Sequence, residues 1–448
     1  MKRSYISLLL PCLALICPSC SSQKSGYSDD ILYSDNYSAS NIKAVSALHQ
    51  SGKILSLNDA TRIALANNPN IQIAELKTIT ASAQYYGSIL ANTPAVTATG
   101  GVYKNSPNTP INNQLNPQTG GAITTSMTLW NGLQSQMNIL SAKAQTISAD
   151  EMSLNTRRLL TLQLAVVYNA ILMDKANIKI QRENMTFYQQ QLQKLQSKPN
   201  PGKSAMSDAL QFKTNIDLAQ SAVVKSIENF NNNKCALAVL MGLPSAQLPA
   251  NTLFPEIEIT KDAQKALGVD YYLDMAVNQR PDLKASKENL KASNYNLYSS
   301  YGQLSPTVGA GVVAGNQNIA TNATGANATV NLNPASSITN IRTAQTQKDS
   351  ANEELVGTWI QAASDVRTSY NQLAACAATE KILKDQCALG LQARNIVAQE
   401  YDNGKVTVSR VIETQNELIK AEREHLQSIA DISNYQTQLD AATGIEMK

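Results

Sequence analysis

The sequence predicts an α+β membrane protein in which two copies of one unit each combine a β-hairpin with long helices. Two short stretches alternate apolar and small polar residues with a period of two, which is typical of strands that separate lipid from water. Two longer stretches are almost free of Gly and Pro, which favours extended helices. An internal repeat brings both kinds of element back in the same order.

The repeat is visible in the spacing of Pro, Gly and Tyr residues. Its first part recurs at an offset of 212 residues, which relates Pro69 to Pro281, Tyr86 to Tyr298 and Pro94 to Pro306. Its last part recurs at an offset of 202 residues, which relates Gly202 to Gly404 and Gly242 to Gly444. We therefore predict a first repeat at 51–245, a linker at 246–271 and a second repeat at 272–448.

Each repeat contains one predicted hairpin, at 95–130 and at 307–332. Val96 and Ala98 share one face of the first strand, and Met127 and Leu129 share one face of the second. The pattern predicts lipid on the apolar face and water on the other. Four strands leave two edges unpaired, so one chain cannot close a barrel in a membrane. Closure requires a homo-oligomer, and three copies would supply twelve strands, which lies within the known range.

The remaining residues of each repeat read as helices. The predicted helices are 57–92, Leu133–Lys198, 272–303 and Ala335–Asn403, with return helices that run to Gly242 and Gly444. In the first long helix, a coiled-coil seam is predicted at positions 159, 162, 166, 169, 173, 176 and 180. The helices alone would also suit a soluble bundle or a coiled-coil spacer, but a spacer does not explain the two hairpins.

The N-terminus reads as a secretory signal at 1–19. Lys2 and Arg3 precede an apolar stretch and small residues, and the stretch is too short for a mature membrane helix. The position of Cys20 after Ser19 resembles a bacterial lipoprotein signal, in which that Cys is lipidated. Cys17 stands where such signals prefer an aliphatic residue, so plain signal cleavage is the alternative. Residues 20–50 are predicted to tether the chain to the lipid.

Composition argues against several classes of function. The net charge is +3, without a basic block, which argues against nucleic-acid binding. The two His residues, His49 and His425, leave little room for His-based catalysis. The spacing of Cys235, Cys376 and Cys387 suits no zinc site. We therefore predict no enzyme activity, no cofactor and no metal, and no helical membrane span after the signal.

Several motifs, taken in order, resemble the TolC-like outer-membrane efflux proteins. They are an Ala-x-x-x-x-Pro opening from Ala64 to Pro69, its counterpart Asn278–Leu283, Trp130-Asn131-Gly132 between strand and long helix, and Tyr401-x-x-Gly404 at a helix turn. The resemblance implies a homotrimer in which a twelve-stranded barrel continues into a long periplasmic α-helical barrel. It also implies a passive duct, closed at its periplasmic tip by inward coiling of the helix pair that follows the second hairpin.

The resemblance assigns a gate to residues near that tip. Asp208 and Tyr401 match an Asp and a Tyr that link neighbouring helix pairs in the closed state, and Val406 replaces a gate-linking Arg. Gln211 and Glu413 occupy equivalent positions nine residues after the two tip glycines. Arg410 and Glu413 occupy the positions of two acidic ring residues, which predicts a mixed ring. Arg410 could pair with Glu413 or with Asp208. The alternative is that these are ordinary solvated charges.

The resemblance also implies partners. The turns with Gly202, Lys203 and Ser204 and with Gly404, Lys405 and Val406 match the sites where a periplasmic adaptor docks, although turn chemistry alone would explain the glycines. An inner-membrane pump of the RND type is expected, with an ABC transporter as the alternative. The function implied is small-molecule or multidrug efflux from a lipid-anchored position in the outer membrane. The alternatives are type I protein secretion and a periplasm-spanning spacer without a pore.

Overall fold

The computed structural model describes residues 54–103, 118–197, 203–249, 251–257, 268–316, 323–329 and 334–445. The predicted signal, Cys20, the tether and Gly202 lie outside these residues. The chain divides into two compact units, and nearly all described residues belong to the unit formed by Ile54–Leu248 and Leu253–Lys448. Of the other unit, the structure describes Pro249, Asn251 and Thr252, where the Thr252 amide donates to the Pro249 carbonyl at 3.0 Å.

The elements follow the same order in both repeats. The first contains α1 (Leu57–Asn67), α2 (Pro69–Leu90), β1 (Ala95–Tyr103), β2 (Gln118–Trp130), α3 (Gln134–Gln196) and α4 (Lys203–Leu240). The second contains α5 (Val269–Gln279), α6 (Pro281–Gly302), β3 (Thr307–Asn316), β4 (Ala323–Thr329), α7 (Pro334–Asp402) and α8 (Val408–Thr443). The longest helices, α3 and α7, have 63 and 69 residues, or about 95 and 104 Å at the α-helical rise. The predicted duplication is confirmed.

The first helix of each repeat is broken where the sequence predicted continuity. Asn68 and Arg280 are both extended, with ψ of 125° and 119°, and each is followed by a Pro at the start of the next helix. The reason is steric, because a Pro disfavours helical geometry in the residue before it. The predicted helices 57–92 and 272–303 are therefore each a pair, α1 with α2 and α5 with α6.

In each repeat, the end of the last helix packs against the break in the first helix. Gly242 follows α4 with φ +71°, and a Cβ there would lie 2.5 Å from the Asn67 carbonyl oxygen. Gly444 follows α8 with φ +80°, and a Cβ there would lie 2.9 Å from the Arg280 amide nitrogen. Both positions require Gly for its left-handed backbone and for the close approach. The Pro and Gly spacings of the sequence thus mark one junction that occurs twice.

The four strands form one antiparallel sheet in the order β1-β2-β3-β4. Directly paired residues include Ala98 with Ile123 and Met127 with Ala310. Because paired residues share a face, the register places these apolar side chains on one side of the sheet and Thr97 with Thr124 on the other. The predicted two-sided hairpins are confirmed.

The strand bounds differ from those expected. β2 begins at Gln118 and β4 at Ala323, before the strands predicted from the apolar alternation, which begin at Ile123 and Ala326. Pairing with β1 and β3 extends the ladder into Gly- and Thr-rich residues without such an alternation. The expected strand residues 330–332 lie outside the described residues.

The helices pack side by side. Near the sheet their order is α2, α3, α6, α7, and farther away it is α4, α3, α8, α7. The predicted seam of α3 is buried only in part: Asn169 is 6% exposed, but most other seam positions are half-buried. Leu159 is 42% exposed, whereas the buried positions include Leu160, Leu164, Tyr168 and Ile171. α3 contacts neighbouring helices on two sides, so its buried residues do not follow a single coiled-coil seam.

One described helix, α3, contains an 18-residue window that is long and apolar enough to cross a membrane, and half of this window is buried inside the chain. We expected no helical membrane span after the signal, so the apolar window of α3 differs from that expectation. Core helices of soluble proteins pass the same test, and the packing of α3 between α4 and α8 accounts for its apolar residues.

Candidate functional site

The candidate site is the tip, the region where α3 ends, α4 begins, α7 ends and α8 begins. Its core is a cluster of buried side chains from all four helices: Phe187, Tyr188, Leu195, Phe212, Ala398, Tyr401, Val408 and Val411. The rings form a chain of contacts, with centroids 6.4 Å apart for Tyr188 and Phe212 and 5.9 Å apart for Phe212 and Tyr401. The four helix ends are therefore held together by one apolar core, with Phe212 fully buried at its centre.

A hydrogen bond between Tyr401 and Asp208 closes one side of this core. The Tyr401 hydroxyl on α7 donates to Oδ2 of Asp208 on α4 at 2.9 Å. Burial, followed by the hydrogen bond and charge of Asp208, raises the pKa of Tyr401. The phenol therefore stays protonated and can donate to the carboxylate at physiological pH. The structure thus brings together the two residues that the resemblance paired.

Arg410 and Glu413 also meet, on the exposed side of α8. Arg410 Nη1 lies 2.8 Å from Glu413 Oε2, and the two side chains are 52% and 57% exposed. The hydrogen bond and charge of Glu413 raise the pKa of Arg410. Of the two partners considered for Arg410, the structure selects Glu413, since Asp208 accepts from Tyr401. Gln211 lies half-buried on α4, and its main-chain carbonyl accepts a hydrogen bond from Asn215 at 2.9 Å.

The second turn is well defined. Gly404 has φ +73°, its amide donates to the Tyr401 carbonyl at 2.9 Å, and the Lys405 amide donates to the Glu400 carbonyl at 2.9 Å. This is a Schellman C-cap, and it uses Gly for its left-handed backbone. Val406 packs against the tip core. Lys203 and Ser204 begin α4, and the structure describes only their backbone.

Sequence reasoning missed a set of polar contacts that join α3 to α8. All are hydrogen bonds between side chains of the two helices: Asn169 with Asn434 at 2.8 Å, Asn184 with Gln415 at 2.9 Å, and Tyr188 with Asn416 at 3.2 Å. Their signal in the sequence is weak, because Asn and Gln are common on solvated helix faces. In the structure, burial of Asn169 and Asn184 makes these contacts part of the core.

It also missed a buried charge cluster beside α6. Arg280 is 4% exposed and pairs with Asp282 at 2.8 Å and with Asp365 on α7 at 2.9 Å. Arg158 on α3 lies 3.6 Å from Asp282 and donates to the Ala441 carbonyl of α8 at 2.6 Å. The cluster therefore ties four helices together where α5 and α6 meet. In the sequence, the motif Asn278–Leu283 indicates the family but does not indicate this charge cluster.

Comparison with known proteins assigns the family. The family model described as outer membrane efflux protein matches residues 61–243 and 272–445, which together are most of the chain. The chain belongs to this family. No curated protein sequence matches the chain. In the described residues, no group of three or more His, Cys, Asp or Glu side chains could hold a metal ion.

Solved structures confirm the fold of this outer membrane efflux protein. The outer membrane protein VceC from Vibrio cholerae is 16% identical, with a TM-score of 0.77 over 87% of this chain and 96% of that one. The CmeC outer membrane channel of Campylobacter jejuni is 17% identical, with a TM-score of 0.75 over 88% and 87%. The MtrE outer membrane channel of Neisseria gonorrhoeae, solved in its open state, is 15% identical, with a TM-score of 0.73 over 87% and 89%. The predicted channel fold, with sheet and long helices, is thus confirmed.

Proposed function

We propose that three copies of this outer membrane efflux protein form a passive exit duct, and that this duct completes a tripartite system for small-molecule or multidrug efflux. The observation that carries the proposal is that the chain has two open sides. β1 and β4 are the edges of the sheet that the described strands form, and among the described residues no further strand pairs with the outer side of either edge. In a membrane the backbone groups of these edges require partners, which β4 of one copy and β1 of the next would supply.

The helices offer matching open sides. Ile382, Leu389 and Ile396 recur every seven residues on α7 and are exposed. They lie two residues beyond Glu380, Cys387 and Arg394, which are half-buried. Glu380 lies 3.1 Å from His425 of α8, and the Arg394 guanidinium lies 4.8 Å from the Phe187 ring of α3. The three apolar residues are therefore on the opposite side of α7 from these contacts. On α4, Leu210 and Val224 are exposed two residues before Phe212 and Ser226, which are buried on the side that faces α3. Packing of α7 against α4 of the next copy would bury both apolar stripes.

A charge in the interface between α7 and α4 of the next copy should prevent assembly. We expect Leu389→Arg to yield monomers in detergent, because Leu389 is 66% exposed in one chain and would become buried against α4 of the next copy. Ala388→Arg is the matched control, since residue 388 points about 100° away from residue 389. Light scattering coupled to size exclusion, with negative-stain microscopy, measures the result. If Leu389→Arg forms trimers as stable as those of the parent, the proposed interface between α7 and α4 is wrong.

The proposal also includes the partner proteins and the class of transported substrate. The tip turns would receive a periplasmic adaptor, and an inner-membrane pump of the RND type would supply the energy. The test uses cells of the chain's own host without this chain, which are complemented with it or with an empty vector. We expect complementation to restore proton-gradient-dependent extrusion of a fluorescent dye. Restoration of protein export alone, through an ABC transporter, would contradict the efflux assignment and favour type I secretion.

The lipid anchor is a separate proposal, based on the signal that ends before Cys20. We expect labelled palmitate to be incorporated into the parent chain and to be lost in Cys20→Ser. Cys17→Leu is the control, because it removes a neighbouring Cys and restores an aliphatic residue at a position where such signals prefer one. Label retained in Cys20→Ser would show that the anchor is wrong.

A further inference from the structure

A groove opens between α3 and α8 in the middle of the long helices. Its volume is about 440 Å³, which lies within the range of small-molecule pockets. Hydrogen bonds join the two helices on either side of it, between Asn169 and Asn434 and between Asn184 and Gln415. Along α3 these two contacts are about 22 Å apart at the α-helical rise. The walls of the groove are therefore held in place at both ends.

Arg423 lies at the centre of the α8 wall of this groove. The same wall contains the four residues that lie three or four positions from it, and hence on its side of the helix: Ile419, Lys420, Leu426 and Gln427. The α3 wall is formed by Met173 and Asn177, which carry no charge. Met173 and Ile419 are half-buried. The groove thus offers apolar surface beside a guanidinium.

The charge of Arg423 is not compensated inside the groove. Glu424 is the one carboxylate among the described lining residues, and it pairs with Lys420 at 3.9 Å. Arg423 is exposed and makes no hydrogen bond or ion pair with any residue that the structure describes. The free charge of the groove is therefore a single cation.

We infer that this groove binds a small amphiphilic organic carboxylate. The guanidinium of Arg423 presents paired N–H donors that match the two oxygens of a carboxylate. The apolar body of such a ligand would lie between Met173 and Ile419, where its burial is favourable. A cation would be repelled, and a neutral ligand would lose the charge-assisted hydrogen bonds.

The site adds a binding activity to the proposed duct and stays open within it. The proposed contacts between copies use α4 and α7, whereas the groove lies between α3 and α8, the two inner helices of one chain. Both walls belong to the same chain, so binding itself does not require the trimer.

The test is isothermal titration calorimetry of the purified full-length protein in dodecyl maltoside with 1-naphthylacetate, with detergent alone as the blank. The comparison ligand is the neutral 1-naphthylacetamide. We expect the carboxylate to bind once per chain, and Arg423→Gln to weaken its binding by about tenfold or more. The amide should bind the parent about as weakly as the carboxylate binds Arg423→Gln.

Arg182→Gln is the matched control, because it removes the same charge from the same part of the helices. Arg182 is an exposed residue of α3, and its position on the helix is about 180° from that of Met173. It therefore lies on the side of α3 away from the groove, and its replacement should leave the affinity for 1-naphthylacetate unchanged.

The outcomes separate this inference from the proposed function. A parent that forms a conducting trimer but does not bind the carboxylate would overturn the inference alone. Equal weakening in Arg182→Gln and Arg423→Gln would also overturn it, since net charge and not the groove would then attract the ligand. Equal affinity for the carboxylate and the amide would overturn it as well. A monomeric parent whose binding depends on Arg423 would overturn the duct and support the site.

Discussion

Arg280→Met is expected to reduce the stability of the junction between α5 and α6 by about 3–5 kcal/mol. The substitution keeps an extended apolar side chain but removes the cation between Asp282 and Asp365. Without Arg280, Asp282 keeps Arg158 at 3.6 Å as its ion-pair partner among the described residues, but it loses its shorter partner at 2.8 Å. Loss of one partner from a buried ion pair costs more than the value of the pair itself. The lower end of the range is expected, because the Asp365 side chain is 36% exposed and water can compensate it in part.

The effect should depend on pH. Burial alone would raise the pKa of Asp282, but the hydrogen bonds and charge of Arg280 outweigh burial and lower it. A carboxyl group whose pKa is lower in the folded state stabilises fully above its unfolded pKa of about 3.9. That contribution is lost as the pH falls through the folded pKa. Arg280→Met should therefore differ most from the parent near neutral pH and converge with it in acid.

Hydrogen exchange of the amides around residues 276–286 measures this local stability. Asn68 is the matched control, because it occupies the same place in the first repeat and links to the Leu240 carbonyl at 2.8 Å through a neutral side chain. Asn68→Met removes this bond and also the N-cap of α2, in which Asn68 Oδ1 accepts from the Asn70 amide at 2.8 Å. It should cost about 2 kcal/mol, without pH dependence in this range. Equal losses in both variants would show that the charge cluster is not specifically important.

The duplicated fold was predictable because its signals are local or periodic. The alternation of Val96 and Ala98 depends on neighbouring residues, and the spacing of Pro69 with Pro281 and of Gly242 with Gly444 survives in both copies. The helix breaks at Asn68 and Arg280 were equally predictable from the Pro that follows each, and were overlooked.

Contacts between residues that are far apart in the chain could not be predicted from the sequence. Arg280 finds Asp365 on another helix, and nothing near either residue indicates the other. The tip is similar, since its core combines Phe187, Phe212, Tyr401 and Val411 from four helices that the sequence presents separately. Resemblance supplied the pair Tyr401 and Asp208, and pattern alone would not have done so.

Tyr401→Phe is expected to open the proposed gate and to raise single-channel conductance. The variant keeps the ring that packs against Phe212 and removes only the hydroxyl that donates to Asp208. A hydrogen bond to a charged acceptor contributes about 1.5–3 kcal/mol, so three copies that open together would lose about 5–9 kcal/mol. A shift of that size converts a rarely open channel into one that is mostly open.

Tyr188→Phe separates this bond from general loosening of the tip. Tyr188 belongs to the same aromatic core, and its hydroxyl donates to the neutral Asn416 at 3.2 Å, between α3 and α8. Because a neutral acceptor contributes about 0.5–1.5 kcal/mol, we expect a smaller rise in conductance. Asp208→Asn should lie between the two, since the amide oxygen still accepts but without a charge. If the three variants conduct alike, the core and not the Tyr401 bond holds the tip, and the gate assignment is wrong.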